Sequence, residues 1–138
     1  MTGGSAGLGL AIARALARAG CGVVLASRSA ERCQRAAARL SAETGRSVTG
    51  RACDVTDERA VADLVDAVMA SRGRLDVLVT SAGVQARGTL EQLDVATLRA
   101  CLDVNVVGTW LACRAAAAPM RAAGYGRILT LALSLIHI

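Results

Sequence analysis

Apolar residues recur at helical spacing from the eighth position of the chain. Leu8, Ala11, Ile12, Ala15, Leu16 and Ala19 form a stripe, with Arg14 and Arg18 opposite. This pattern predicts an amphipathic helix that Gly20 and Gly22 end. Residues 22–26 (Gly-Val-Val-Leu-Ala) then form a short apolar run, as expected of a strand buried on both faces. Ser29 can cap a second helix, with Glu31 well placed in its first turn, running to Thr44 before Gly45 breaks it. Residues 47–53 read as a weaker strand. Thr56 is expected to cap a third helix with the stripe Val61, Leu64, Val65 and Val68. Residues 75–79 give the next strand and lead into Thr80-Ser81-Ala82-Gly83. A long helical stretch starts near Asp94 and is expected to break near Pro119. Residues 127–132 form the last strand.

Strands alternating with helices predict an α/β fold, a doubly wound parallel sheet with helices on both faces. The 138 residues suffice for one domain with a real core. No repeat, low-complexity linker or second domain interrupts the pattern. Both ends look abrupt. A strand normally precedes a glycine-rich turn of this kind, yet only Met1 stands before Thr2, so the first strand is expected to be missing. Residues 133–138 (Leu-Ser-Leu-Ile-His-Ile) resemble the in-frame translation of a transposon-type sequencing adapter. On that reading the domain is 1–132, and His137, the sole histidine, carries no catalytic meaning. An ordinary buried strand terminus is the alternative.

Composition narrows the function classes. Hydrophobic residues make up 54% of the chain but are scattered, with no run near the ~20 apolar residues of a membrane span. The start has neither a basic n-region nor an apolar h-region, so a soluble cytoplasmic protein is expected. Cys21, Cys33, Cys53, Cys101 and Cys113 form no CxxC pair. They read as buried free thiols of a reducing compartment, and no metal site is expected. The net charge of +5 raises the question of nucleic acid. The arginines are dispersed, however, and Trp110 and Tyr125 are the only aromatics, so solvated charged faces are the better reading. All 16 basic residues are arginine. Without lysine, these residues supply neither a Schiff base nor a Tyr–Lys proton relay.

The chemistry-bearing motif is Thr2-Gly3-Gly4-Ser5-Ala6-Gly7-Leu8-Gly9, which opens directly onto the first helix. Glycines let the backbone turn sharply and approach a pyrophosphate, and the helix N-terminus offers unpaired N–H groups to the anion. An ordinary loop is the bland alternative, but the helix and strand that follow fit a dinucleotide site. The strand ends at Ser27-Arg28, near the distance at which an acidic residue would read the adenosine ribose. No acidic residue stands there. Serine with a guanidinium suits a 2′-phosphate, so NADP(H) is favoured over NAD(H). An exposed surface arginine is the alternative. Asn105 also stands out, a polar residue on the stripe Leu98, Cys101, Leu102, Val106, Thr109 and Cys113. It is expected to be buried and to need partners for its amide. From the pattern alone a satisfied core asparagine is the better reading and a catalytic one the alternative.

Residues 2–132 resemble the short-chain dehydrogenase/reductase family, whose domain is of the Rossmann type. The opening is similar to the family's TGxxxGxG turn, implying cofactor contacts from Gly3, Gly4, Ser5, Gly7, Leu8 and Gly9. Asp54 and Val55 resemble its adenine-contacting pair. Thr80-Ser81-Ala82-Gly83 takes the place of its NNAG motif with both asparagines replaced, implying contacts from Ser81, Ala82 and Gly83. Asn105 resembles the helix asparagine of its Asn-Ser-Tyr-Lys catalytic set. That role implies holding the helix and a water that connects to the lysine. The family's serine and YxxxK helix would lie beyond residue 132, so the catalytic half is expected to be missing and the chain inactive by itself. Tyr125 is not the catalytic tyrosine, and residues 72–76, with Arg74, carry no site role. The resemblance implies hydride transfer between nicotinamide and a small secondary alcohol or ketone by a homodimeric or homotetrameric whole protein. Residues 83–88 (GVQARG) are mildly similar to gluconate 5-dehydrogenases, with 3-oxoacyl-carrier-protein reductases comparably close. A non-catalytic dinucleotide-binding sensor is the rival reading, and an arginine-rich nucleic-acid binder a more distant one.

Overall fold

The computed structural model describes residues 1–132. The expectations for 133–138, including Ser134 and His137, lie outside the described residues. Helix α1 (Gly7–Arg18) leads to β1 (Val23–Ser27), α2 (Ala30–Thr44), β2 (Val48–Ala52), α3 (Glu58–Arg72) and β3 (Val77–Thr80). Helix α4 (Val95–Leu102), a π-helical turn (Asp103–Val107) and α5 (Gly108–Ala122) then run without a break, followed by β4 (Arg127–Thr130).

The strands pair in parallel, β1 with β2 and β3 with β4. Between the pairs, Thr2 forms single parallel bridges to Ala26 and to Thr80. Met1 and Thr2 thus occupy the place of the expected first strand. The spatial order β2-β1-stub-β3-β4 is the doubly wound order of a Rossmann sheet, with the glycine turn leaving its centre. Side chains alternate across a strand. Leu25 accordingly joins a core with Ala13 and Ala17 of α1 and with Cys33, Ala37 and Leu40 of α2. Its neighbour Ala26 joins a second core with Val61 of α3, Leu78 of β3, and Leu111, Ala116 and Met120 of α5. Helices therefore cover both faces.

Local chemistry sets the helix ends. Ser29 caps α2, its side chain accepting from Arg32 N–H, and Gly45 (φ 66°) closes it in the left-handed region. Asp94 caps α4 by accepting from Thr97 N–H. The cap of α3 is Asp57, which accepts from Arg59 and Ala60, rather than Thr56. Thr56 instead donates its hydroxyl to Asp54 at 2.8 Å.

Three further expectations need correction. The buried face of α1 is Gly9, Ala13 and Ala17, whereas Leu8 is 56% exposed and Ala11, Ala15 and Ala19 are exposed. The helix lies so close to the glycine turn that a Cβ on Gly9 would stand 2.3 Å from the Gly3 carbonyl oxygen. Small residues fit that seam, Leu8 is turned out, and Leu10 and Leu16 pack half-buried against the same core. Pro119 does not interrupt its helix, which runs through it to Ala122. Finally, 95–122 is one 28-residue helix whose mean hydropathy reaches 1.2 over an 18-residue window, enough to cross a membrane by length and composition. Its second half packs against α3 and β3, as a core helix does.

A close helix–strand approach lies at β2, where a Cβ on Gly50 would come within 2.3–2.6 Å of the Cys33–Gln34 backbone of α2. Backbone cannot swing aside as a side chain can. In the protein that carries this chain, Gly50→Ala should cost about 1–3 kcal/mol, the range for overpacking. The measurement is urea unfolding, where the midpoint should fall with the slope unchanged. An unmoved midpoint would contradict the contact.

Candidate functional site

An open cleft of 920 Å³ lies at the carboxyl ends of the strands, at the point where the chain leaves the sheet in opposite directions. Gly3, Gly7, Leu8, Gly9, Ser27, Arg28, Asp54, Val55, Ser81, Ala82, Gly83 and Asn105 all line it. Two of the expected residues stand behind the wall. Gly4 is buried, with Leu25 and Met1 close to where its Cβ would be. Ser5 is half-buried and donates its hydroxyl to Ser27 Oγ at 3.2 Å.

The glycine turn is shaped by backbone proximity. Gly3 has φ 65°, and a Cβ there would stand 2.5 Å from the Ser81–Ala82 backbone, so this position is closed to any other residue. The turn delivers the chain to the start of α1. Helices α2, α3 and α4 are each capped by a serine or aspartate side chain, but α1 has no side-chain cap and no acidic residue in its first turn. Its leading N–H groups and positive dipole end therefore face the cleft uncompensated, which is the arrangement that binds a phosphate.

At one end of the cleft, Ser27 ends β1 and the exposed Arg28 follows it. The Ser27 hydroxyl donates to Ser29 O at 3.3 Å and lies 3.0 Å from Cys33 Sγ. Asp54 Oδ1 accepts from the Thr56 N–H at 3.0 Å and from its hydroxyl at 2.8 Å. The backbone bond and then the hydroxyl hold the Asp54 carboxyl below its ordinary value, with a smaller contribution from the Arg28 charge. Asp54 is thus ionised at neutral pH. Cys53 beside it is buried, and its thiol is pushed up to about 11 by burial, helped by the Asp54 and Asp57 charges. It is a protonated wall residue, not a nucleophile.

At the other end stands Asn105, in the π-helical turn between α4 and α5. Its amide grips the backbone of Val84 from both sides. Val84 N–H donates to Oδ1 and Nδ2 donates to Val84 O, each at 2.9 Å. Nδ2 also lies 3.2 Å from Cys101 Sγ. The expectation that Asn105 is buried is corrected. It is exposed to the cleft, and Leu98, Leu102 and Val106 on its stripe are 43–57% exposed. The wide turn, closed by Gly108 N–H donating to Asp103 O, shifts this face out of the regular helical register.

Among the lining residues that sequence reasoning missed are Cys101 and Val104 on the helix wall, and Val84 and Gln85 beyond β3. Cys101 sits four positions before Asn105 and Val104 three after Cys101, so helical spacing could have found them. The loop residues carry no periodic signal. Arg74 pairs with Asp76 at 2.7 Å and Tyr125 stacks under Arg127 at 5.1 Å, both away from the cleft wall. Among the described residues no group of three His, Cys, Asp or Glu side chains could hold a metal ion.

Comparison with known proteins bears on the same features. The family model for short chain dehydrogenases matches residues 1–134. D-threitol dehydrogenase of Mycolicibacterium smegmatis is 39% identical over 132 residues, covering 96% of this chain and 50% of that protein. Gluconate 5-dehydrogenase of Gluconobacter oxydans is 36% identical, covering 95% of this chain and 51% of its own length. Among solved structures, a metagenomic short-chain oxidoreductase in complex with NADP superposes with a TM-score of 0.89 at 36% identity, covering 99% of this chain and 63% of that one. The chain spans about half the length of the curated relatives it matches. A glycine turn feeding an uncapped helix at the centre of a parallel sheet, matched by a family model over nearly its whole length, places this chain in the short-chain dehydrogenase/reductase family.

Proposed function

We infer that the protein carrying this chain is an oxidoreductase that moves a hydride between C4 of a nicotinamide and a secondary alcohol or ketone, with NADP(H) favoured over NAD(H). The observation that carries the reading is the uncapped start of α1 inside a cleft that runs from Arg28 to Asn105. The cradle fits a dinucleotide because Gly3 and Gly9 let the turn fold tightly against the Ser81–Ala82 backbone and onto the start of α1, where a Cβ at either position would strike backbone.

In this reading the turn formed by Gly3, Gly4, Ser5, Gly7, Leu8 and Gly9 holds the pyrophosphate. Ser27 and Arg28 read the ribose 2′ position. Asp54 and Val55 hold the adenine. The nicotinamide, when bound, accepts or supplies the hydride. Ser81, Ala82 and Gly83 lie along that half of the cleft. Asn105 fixes the path of the chain beyond Gly83 by gripping Val84, which keeps this wall in one geometry. The five cysteines are free, which suits a cytoplasmic setting. The reported complexes of two solved relatives, the metagenomic oxidoreductase with NADP and L-sorbose reductase of Gluconobacter frateurii with NADPH, support the cofactor assignment. A small alcohol or ketone as substrate, and assembly of the whole protein as a homo-oligomer, belong to the same proposal.

Arg28 forms no ion pair with a carboxylate among the described residues, so its charge is available to a phosphate. In the whole protein, Arg28→Ala should raise the KM for NADPH by roughly 10- to 100-fold, the loss of a charged hydrogen bond of about 1.5–3 kcal/mol. The KM for NADH should move far less. Steady-state kinetics with both cofactors decides, and equal changes would reduce Arg28 to a surface charge.

The 138 residues contain no lysine, so a Tyr–Lys proton relay has to come from elsewhere in the protein. Purified 1–138, assayed spectrophotometrically with either cofactor and a panel of alcohols, should show no turnover above a heat-killed control. Steady turnover would refute this assignment of the proton chemistry.

A further inference from the structure

Gly108 opens α5 directly after the π-helical turn that carries Asn105, and it is buried. Its backbone angles, φ −62° and ψ −38°, are those of an ordinary helix. Conformational freedom therefore does not explain a glycine here, and glycine is a poor helix former. Space does explain it. A Cβ at Gly108 would stand 2.7 Å from Val55 Cγ2, 3.0 Å from Val55 Cβ and 3.1 Å from the Val55 carbonyl oxygen.

Neither side of this contact can retreat freely. Val55 lies in a tight turn in which Thr56 is bonded to Asp54 and Asp57 N–H donates to Asp54 O at 3.2 Å. Asp57 then caps α3. On the other side, Leu111, Ala112 and Ala116 anchor α5 in the core shared with α3 and β3. The compliant part is the wide turn just before Gly108, which holds Asn105. Val55 and Asn105 line the same cleft from different elements.

We propose that Gly108 is a positioning residue that sets the separation of the two cleft walls, the Asp54–Val55 wall and the wall formed by Cys101, Val104 and Asn105. The proposal rests on the reading above that a dinucleotide lies between these walls. An added methyl at position 108 wedges them apart. The wedge displaces Val55 from one half of the bound dinucleotide or Asn105 from its grip on Val84.

The test uses the full-length protein, with the Kd for NADPH measured by nucleotide fluorescence and folding followed by thermal melting. Gly108→Ala should raise the Kd about 10-fold or more while the protein remains folded, because misplacing a site by about 1 Å costs up to two orders of magnitude in function. Val55→Ala loses an adenine contact of its own, but it also removes the 2.7 Å contact, so Gly108→Ala should raise the Kd far less in the Val55→Ala background than in the wild type. A purely structural glycine predicts a lower melting temperature with an unchanged Kd for the folded protein, and that result overturns the proposal. So does a Gly108→Ala effect on the Kd that is equally large in the wild-type and Val55→Ala backgrounds. If Gly108→Ala does not fold, Val55→Ile adds a methyl from the other side of the same contact. It must then raise the Kd, and an unchanged value overturns the proposal. Wild-type protein that binds neither NADP(H) nor NAD(H) brings down the functional reading and this inference with it. Wild-type binding with an unaffected Gly108→Ala brings down the inference alone.

Discussion

The backbone bonds of Met1 and Thr2 join the two halves of the sheet. Ala26 N–H donates to Met1 O at 2.9 Å on one side. On the other, Thr2 N–H donates to Val79 O at 3.0 Å and Ser81 N–H to Thr2 O at 3.2 Å. Without these bonds β1–β2 and β3–β4 are separate ribbons, and isolated two-stranded ribbons are marginal in water. With them, the glycine turn leaves the sheet at its centre, between β1 and β3. The close approach of Gly3 to the Ser81–Ala82 backbone follows directly, as does the placement of α1 over the seam. The cleft is thus a consequence of strand order before it is a consequence of any one side chain.

Much of this was legible in the sequence because it rests on local chemistry. The glycine spacing, the Ser29 cap, the Gly45 stop and the alternation of strands with helices are written in short stretches whose meaning does not depend on distant residues. The errors arose where distant residues decide. The seam of α1 belongs to Gly9, Ala13 and Ala17 because the turn presses on it. Apolar size alone pointed to Leu8 instead. Thr56 looked like a helix cap by its position, yet its hydroxyl is committed to Asp54, and Asp57 takes the cap.

Asn105 shows both sides of this limit. Its importance could be read from a polar residue on an apolar stripe. Its setting could not, because a π-helical turn changes which face the stripe presents and nothing in the spacing announces that turn. Its partners are backbone groups of Val84, 21 residues earlier, in a loop without periodicity. The cleft wall at Gln85 was hidden for the same reason. Gly108 left no trace in the pattern either, since it has ordinary helical angles and its meaning lies wholly in the proximity of Val55.

The bare N-terminus of α1 has a thermodynamic consequence. Helices α2, α3 and α4 carry their own capping groups, so their first turns are complete within the chain. The first turn of α1 is completed only by water or by an incoming anion. A bound phosphate therefore does for α1 what Ser29 does for α2. By linkage, a ligand that binds the ordered turn and not the frayed one stabilises that order by an amount that grows with the logarithm of its concentration above its Kd. An anion bound at the start of α1 would thus couple its own affinity to the order of this corner of the domain.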